Sequence, residues 1–533
     1  VTSTEGTPAV PLRKNWIDFA LGLLGVALGW SSLTFPFGRD QGLYYYVARE
    51  WVTHGSIPYR DVLDHKTPGI YVVHAIAILL FGQKMWAIRV LDLVCMVLVG
   101  LLAATFTVEK GERPRIGARG GSVVIISVLF YGFLNFWDTE QSELWYAMLG
   151  LASIWAARRI PVLSRSQLAS GALGALAMIM KPPAIWFVMI AFGLLVRDAW
   201  TEKNDKEDRT RRVIVTTARF GAGFAIPLGL MFGYFGAHHA LSAMKDIVVG
   251  ANGYYVTHES TINDLGDVAS ATRDYYRAYN PLNSLMLIGL VATTWLCHRR
   301  QDWPARNRHL LAVIMCVAGY LSVAMQRKFY LLHWTVVLGP ATVVGANLLV
   351  DVMKLSEEKP RAKQWRWSAL VLTIACYLGS IGGPQTWWLS NRNAFRYLTG
   401  SIDRATFAAT FSVPPLGFYY GNSEAAGLWI REHSNPDDIV AVRGFDPEIY
   451  AIADRHYSGR FFWTTFLVSP VRAYRRAEWL AEDRNAFAKN PPRYVVTLTN
   501  IHDGLDSAEF YYPLGYEQRA AFNEFTILER VTR

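Results

Sequence analysis

Long apolar runs alternate with short polar, often basic, connections along this chain. A hydrocarbon layer of about 30 Å takes roughly 20 residues of helix. Runs of suitable length and character begin near Trp16, Trp86, Gly121, Gln141, Gln167, Pro183, Val213, Pro281, His309, Trp334 and Trp367. They predict an α-helical polytopic membrane protein with about eleven transmembrane helices. The run 68–81 is too short to span and reads as a helix at the interface or packed on the bundle.

The connections set the orientation. With the N-terminus inside, the segments 108–120, 158–166, 197–212, 298–308 and 351–366 each carry at least three Lys or Arg, whereas the outside turn 136–142 carries none. Positive charge repeated on alternate connections marks the cytoplasmic side, and counting 68–81 as a span would break the pattern. Arg13 and Lys14 precede the first run and no small-residue cleavage site follows, so that run reads as a retained first span. The odd count leaves everything after about Gly383 outside. We therefore expect a bundle over 1–386, with its first outside loop at 36–85, and an extracytoplasmic domain over 387–533. In that tail 425–433 and 447–453 read as helices, and 438–444, 493–499 and 525–530 as strands, the pattern of a small α/β domain.

Composition agrees. Charged residues make up 18% and hydrophobic ones 52%, against about 25% charged for an ordinary soluble chain. The net charge of +10 would suit nucleic acid, but the basic residues sit in short loops between apolar runs, so topology explains them and no nucleic-acid partner is expected. Cys95, Cys297, Cys316 and Cys376 all fall in or beside apolar runs, which leaves no disulfide framework.

Charge on the outside needs another reason. Asp40 follows the first span, at the membrane surface, where a carboxylate could take a proton from an acceptor hydroxyl or hold a divalent ion; equally, it could cap the helix carrying Tyr44, Tyr45 and Tyr46. The same loop closes on Asp61, Asp64, His65 and Lys66. The next outside turn holds Asp138, Glu140 and Glu143, some of which could simply cap the following helix. Lys181 precedes Pro182 and Pro183 at the depth of lipid phosphates. Arg327 and Lys328, with His333 beyond them, place two cations outside against the inside bias. An anionic headgroup or lipid-linked phosphate would satisfy them, as would snorkelling to the interface. Carboxylates and cations near one membrane face suit transfer of a group from a phosphate to a hydroxyl.

The first loop resembles that of the GT-C membrane glycosyltransferases, in particular the branch of protein O-mannosyltransferases and the lipid A aminoarabinose transferase. The resemblance lies in Asp40-Gln41-Gly42, Tyr44-Tyr45, Ala48-Arg49, Pro58-Tyr59-Arg60-Asp61, Lys66-Thr67-Pro68-Gly69 and Ala87-Ile88-Arg89, with QRKFYLLHW and the tail's NPDDIVAVRGFDPEIYAIADR later. It implies a hexosyl- or pentosyltransferase of the cytoplasmic (inner) membrane that uses a polyprenyl-phosphate sugar donor and inverts the anomeric carbon. Asp40 would act as base or in a metal-assisted site, with Glu143 or Asp138 as the second carboxylate. Lys66 would contact the donor phosphate, joined by Lys181, Arg327 and Lys328, with Tyr44, Tyr59, His65 and His333 around the substrates. Two departures stand out: Gln41 replaces the second acid of the relatives' Asp-Glu pair, and Gly69 replaces a second proline. The acceptor could be a glycan, a lipid or a protein; no cofactor is implied beyond an optional divalent metal. The competing reading is a lipid or polysaccharide transporter or flippase, for which mid-membrane ionisable residues, here chiefly Asp92, would be the signature.

Overall fold

The computed structural model describes residues 15–201, 206–259, 264–358 and 362–531. Arg13, Lys14 and part of the charged run 202–212 lie outside the described residues. Helices dominate, and a small sheet closes the C-terminal part.

Each of the eleven apolar runs is helical, but they differ in length and polarity. Six are long and apolar enough to cross a membrane by themselves: Trp16–Thr34, Met85–Thr105, Pro182–Thr201, Glu207–Ala237, Trp303–Gln326 and Leu331–Glu357. Two more belong to bent pairs, Leu265–Ala278 with Leu282–Arg299 and Arg366–Leu378 with Gly383–Leu398, which brings the number to eight if each pair is one span. Ala118–Tyr131 is apolar but has only 14 residues. Ser142–Arg159 and Leu163–Met180 are long enough, yet serine, glycine, alanine and terminal charges dilute their apolar character. They pack closely on each other, as small residues allow. Length and apolar character alone thus qualify six to eight of the described helices as spans, and the other runs are helical but shorter or more polar.

Burial separates the middle of the bundle from its rim. Met85–Thr105 and Leu331–Glu357 are 61% buried over their apolar windows, against 17% for Glu207–Ala237, so the first two are central and the last faces outward. Exposed Leu79, Leu230, Ile288 and Val371 cover the outside with apolar surface, which a bilayer accepts as solvent. Gly69–Phe81, at 13 residues, packs against Arg39–His54 and Met85–Thr105 and presents Val72, Ile76, Leu79 and Leu80 outward. The chain is a multi-pass membrane protein.

The tail carries a four-stranded sheet in the order Val440–Val442, Tyr494–Leu498, Phe525–Arg530, Tyr516–Phe522; the first pair is parallel and the others antiparallel. Its docking on the first loop positions the site. Arg49, buried, donates to the carbonyls of Tyr450 and Arg455, and Arg39 pairs with Asp446 at 3.2 Å. The Trp463 indole donates to the Leu63 carbonyl, while Leu63 N–H donates to the Arg460 carbonyl. A Cβ on Gly42 would stand 2.7 Å from the Glu448 nitrogen, so only glycine lets the helix Arg39–His54 meet the tail this closely.

Candidate active site

Asp40 lies in the first turn of the helix Arg39–His54, where the positive end of the helix dipole favours a carboxylate. It does not cap that helix: Gly38 holds the cap position without a side-chain bond. Its carboxylate instead faces Lys66, whose ammonium is 3.6 Å away, and both side chains keep some exposure, 24% and 19%. Both charged groups therefore remain partly accessible.

Lys66 is held from several sides. Its carbonyl accepts from the Tyr59 hydroxyl at 2.8 Å and from Tyr71 at 3.2 Å, and its ammonium lies 5.7 Å from the centre of the Tyr44 ring. Tyr59, fully buried with a left-handed φ of 71°, thus shapes the loop rather than facing the cluster. Tyr44 bonds Gln141 and supplies the ring beneath Lys66. His65 Nδ1 is 3.0 Å from buried Asp64, and its Nε2 is 3.2 Å from the Lys66 nitrogen. Burial, with Lys66 beside it, pushes the His65 imidazole down to about 4. It is therefore neutral near pH 7; with its proton on Nδ1 toward Asp64, Nε2 presents a lone pair to the ammonium.

Two close contacts bring a second cation to this corner. The Thr67 hydroxyl donates to the Met180 carbonyl at 2.7 Å, joining the Lys66 loop to the turn that begins at Lys181. A Cβ on Gly69 would lie 2.6 Å from Met180 Cα, which explains why glycine replaces the second proline. Lys181 donates to Glu143, whose side chain is fully buried, and lies within electrostatic reach of Lys66 and Asp40. His333 in turn lies near Lys181, Lys66 and Lys328.

The three carboxylates around the turn 132–143 have three fates. Glu143 joins the cluster through Lys181. Glu140 pairs with fully buried Arg89 at 2.5 Å. Asp138, pushed up to about 7 by burial, stands near Tyr279, and no contact joins it to Asp40 or Lys66 among the described residues. Asp138 is therefore not brought to the cluster. Gln41 donates to the carbonyls of Phe136, Trp137 and Thr139; a glutamate there would meet acceptors with an acceptor, so the departure from an Asp-Glu pair has a structural reason.

Arg327 and Lys328 part company. Arg327, at φ 55°, and Phe329, at φ 48°, are both left-handed, and this double reversal sends neighbouring side chains apart. Arg327 is exposed and is not brought to the cluster, whereas Lys328 is 4% exposed. Lys328 donates to the Glu259 carbonyl and stands 3.7 Å over the Tyr255 ring. Tyr255, Glu259 and Arg472 were not singled out from sequence; they come from the long connection after Glu207–Ala237 and from the tail, where no periodic pattern marks them. Among the described residues no group of three or more His, Cys, Asp or Glu is disposed to hold a metal.

A helical bundle whose acid–cation corner meets a small C-terminal sheet region has counterparts among solved structures. The chain shares its fold with ArnT of Cupriavidus metallidurans bound to undecaprenyl phosphate, with a TM-score of 0.58 over 97% of this chain and 98% of that one at 12% identity. For apo ArnT of the same organism the TM-score is 0.52 at 13% identity, with the same coverage. No family model and no curated protein matches the sequence.

Proposed function

We propose that the chain is a glycosyltransferase of the cytoplasmic membrane that moves one sugar from a polyprenyl-phosphate donor to an acceptor hydroxyl on the outer face. The observation that carries this reading is the 3.6 Å approach of Lys66 to Asp40, with Lys181, which pairs with Glu143, in electrostatic reach of both. Asp40 takes the proton of the acceptor hydroxyl. The acceptor oxygen then forms a bond to the anomeric carbon as the bond from that carbon to the phosphate oxygen breaks, with inversion. The phosphate departs with the electron pair, and Lys66 and Lys181 stabilise its charge. Such cations suit a lipid-linked phosphate because Lys66 sits beside Gly69–Phe81, whose outward side chains are apolar along its length. ArnT, with the same fold, has been crystallised with undecaprenyl phosphate, which supports this donor class. The tail then lies outside, over the reaction corner.

The test is lipid-linked sugar transfer in membranes by wild type and Asp40→Asn. The variant should lose at least ~100-fold in rate, within the usual contribution of a general base, while retaining polyprenyl-phosphate binding. Transfer at the wild-type rate would remove Asp40 from the mechanism.

A further inference from the structure

The end of the bundle that carries the Asp40–Lys66 corner also carries a helix of mixed character. Arg366–Leu378 and Gly383–Leu398 meet at 77°, so the second runs nearly along the bilayer surface when the first crosses the bilayer. The bend is built into the sequence. Gly382 takes a left-handed φ of 87°, and a Cβ on Gly383 would lie 2.6 Å from the Phe133 ring. The inward face is anchored: the Trp387 indole donates to the Leu28 carbonyl at 3.0 Å, Ala394 is buried, and the Tyr397 ring stacks on Phe407 of the tail at 4.4 Å. The helix thus bridges the segment that leads into Asp40 and the tail. Its outward face sets Trp388, Arg392 and Phe395 along one stripe, with Leu398 beyond them. Trp388, Phe395 and Leu398 are 60%, 62% and 62% exposed. Arg392 is exposed and Arg396 half-buried, and neither has an ion-pair partner among the described residues.

We propose that Gly383–Leu398 is a membrane-surface helix whose outward face binds the headgroup layer of an anionic leaflet, with Arg392 and Arg396 on lipid phosphates. Through the Tyr397–Phe407 stack it holds the tail against the bilayer beside the corner. The inference needs only the membrane-spanning character of the bundle and is independent of the transferase reading. The physical case is a choice of solvent. In water, Trp388, Phe395 and Leu398 would join the exposed Leu378 and Ile381 in an uncovered apolar patch. In hydrocarbon, Arg392 would be a charge without a partner, which is costly. The headgroup layer accepts both, with the rings at the depth of the aromatic belt and the guanidinium groups on phosphates. The neighbouring surface agrees: Leu370, Val371 and Ile374 of the preceding helix are exposed, so an apolar exterior suited to lipid runs directly into this face. The preference for anionic lipid follows from charge. The helix sequence, GPQTWWLSNRNAFRYL, holds two arginines and no acid.

The experiment places a fluorescent amino acid at Phe395 of the full chain, held in nanodiscs of phosphatidylcholine and phosphatidylglycerol. Quenching is read with either lipid carrying a nitroxide at the top of an acyl chain. Both lipids should quench the label, and phosphatidylglycerol should associate at least ~3-fold more strongly than phosphatidylcholine at low salt, since each surface cation favours anionic lipid. Arg392→Gln combined with Arg396→Gln should bring that ratio to about 1, and raised ionic strength should do the same by screening. Lys489→Gln, which removes an exposed cation elsewhere on the tail, should leave the ratio unchanged. No quenching by either lipid would overturn the proposal, because the face then meets water or protein. Self-quenching between labelled copies in place of lipid quenching would overturn it in favour of a second copy of the chain. A ratio that the double variant leaves unaltered would overturn it equally.

Discussion

The contact between Glu143 and Lys181 offers a quantitative test of how the corner is built. The Glu143 side chain is fully buried, and Lys181 keeps 17% of its side chain exposed. Removing one partner of a buried ion pair costs about 3–5 kcal/mol, because the other charge is left without compensation. The residual exposure of Lys181 lets water recover some of that penalty, which points to the lower end for Glu143→Gln, about 3 kcal/mol. Lys181→Met leaves a carboxylate whose nearest remaining donor is the Ser142 hydroxyl at 3.1 Å, so its cost should be similar. Removing both partners leaves no orphaned charge. The double variant should therefore be more stable than the sum of the singles implies, with a coupling of about 2 kcal/mol. The assay is unfolding of the purified chain in mixed micelles for all four members of the cycle. Additivity within ~0.5 kcal/mol would refute the reasoning, since two groups that do not share a charge balance do not couple.

Other expectations follow from single contacts. Gly69→Ala places a methyl 2.6 Å from Met180 Cα; it should cost about 1–3 kcal/mol by overpacking and slow transfer by separating Lys66 from Lys181, read as Tm and transfer rate. A small Tm change with unaltered transfer would show that the close approach does not position Lys66. His65 is held neutral in the fold down to about pH 4, whereas the unfolded chain takes up that proton near 6.5. Below that pH the unfolded state binds more protons, so stability from this group is present above about 6.5 and is lost as pH falls toward 4, by about 3 kcal/mol in all. The difference in unfolding free energy between wild type and His65→Gln should shrink over that window; a difference independent of pH would mean that His65 protonates freely in the fold.

The sequence made the architecture legible wherever a period or a run carries it. The tail strand expected at 525–530 is Phe525–Arg530, and the helix expected at 447–453 is Glu448–Ala453. Apolar alternation and run length identify such elements because burial dictates both. The partner strand Tyr516–Phe522 was missed because it lies at the sheet edge: in its sequence, YEQRAAF, Glu517-Gln518-Arg519 interrupts any apolar alternation, and most of it is exposed. The eleven runs were found, but Ser142–Arg159 shows why hydropathy alone undercounts: a helix enclosed by other helices tolerates serine and glycine. At the site, Asp40 and Lys66 stood out as charge without a topological reason. Which acid of the second turn joins them was not legible, because Asp138, Glu140 and Glu143 differ only in phase along a turn, and Arg89, 51 positions before Glu140, settles the fate of one of them. Arg472 was beyond reach for the same reason: its partner Glu259 lies in a different segment, and no local pattern links the two.

Where a lipid phosphate rests on the bundle decides whether Lys66 and Lys181 bind the donor. A structure of the full chain with undecaprenyl phosphate should show the phosphate oxygens within ~4 Å of both the Lys66 and Lys181 nitrogens, the range of an ion pair, with the Asp40 carboxylate facing the same space. Phosphate bound at the opposite face of the bundle, or at exposed Arg327 without either lysine, would contradict it.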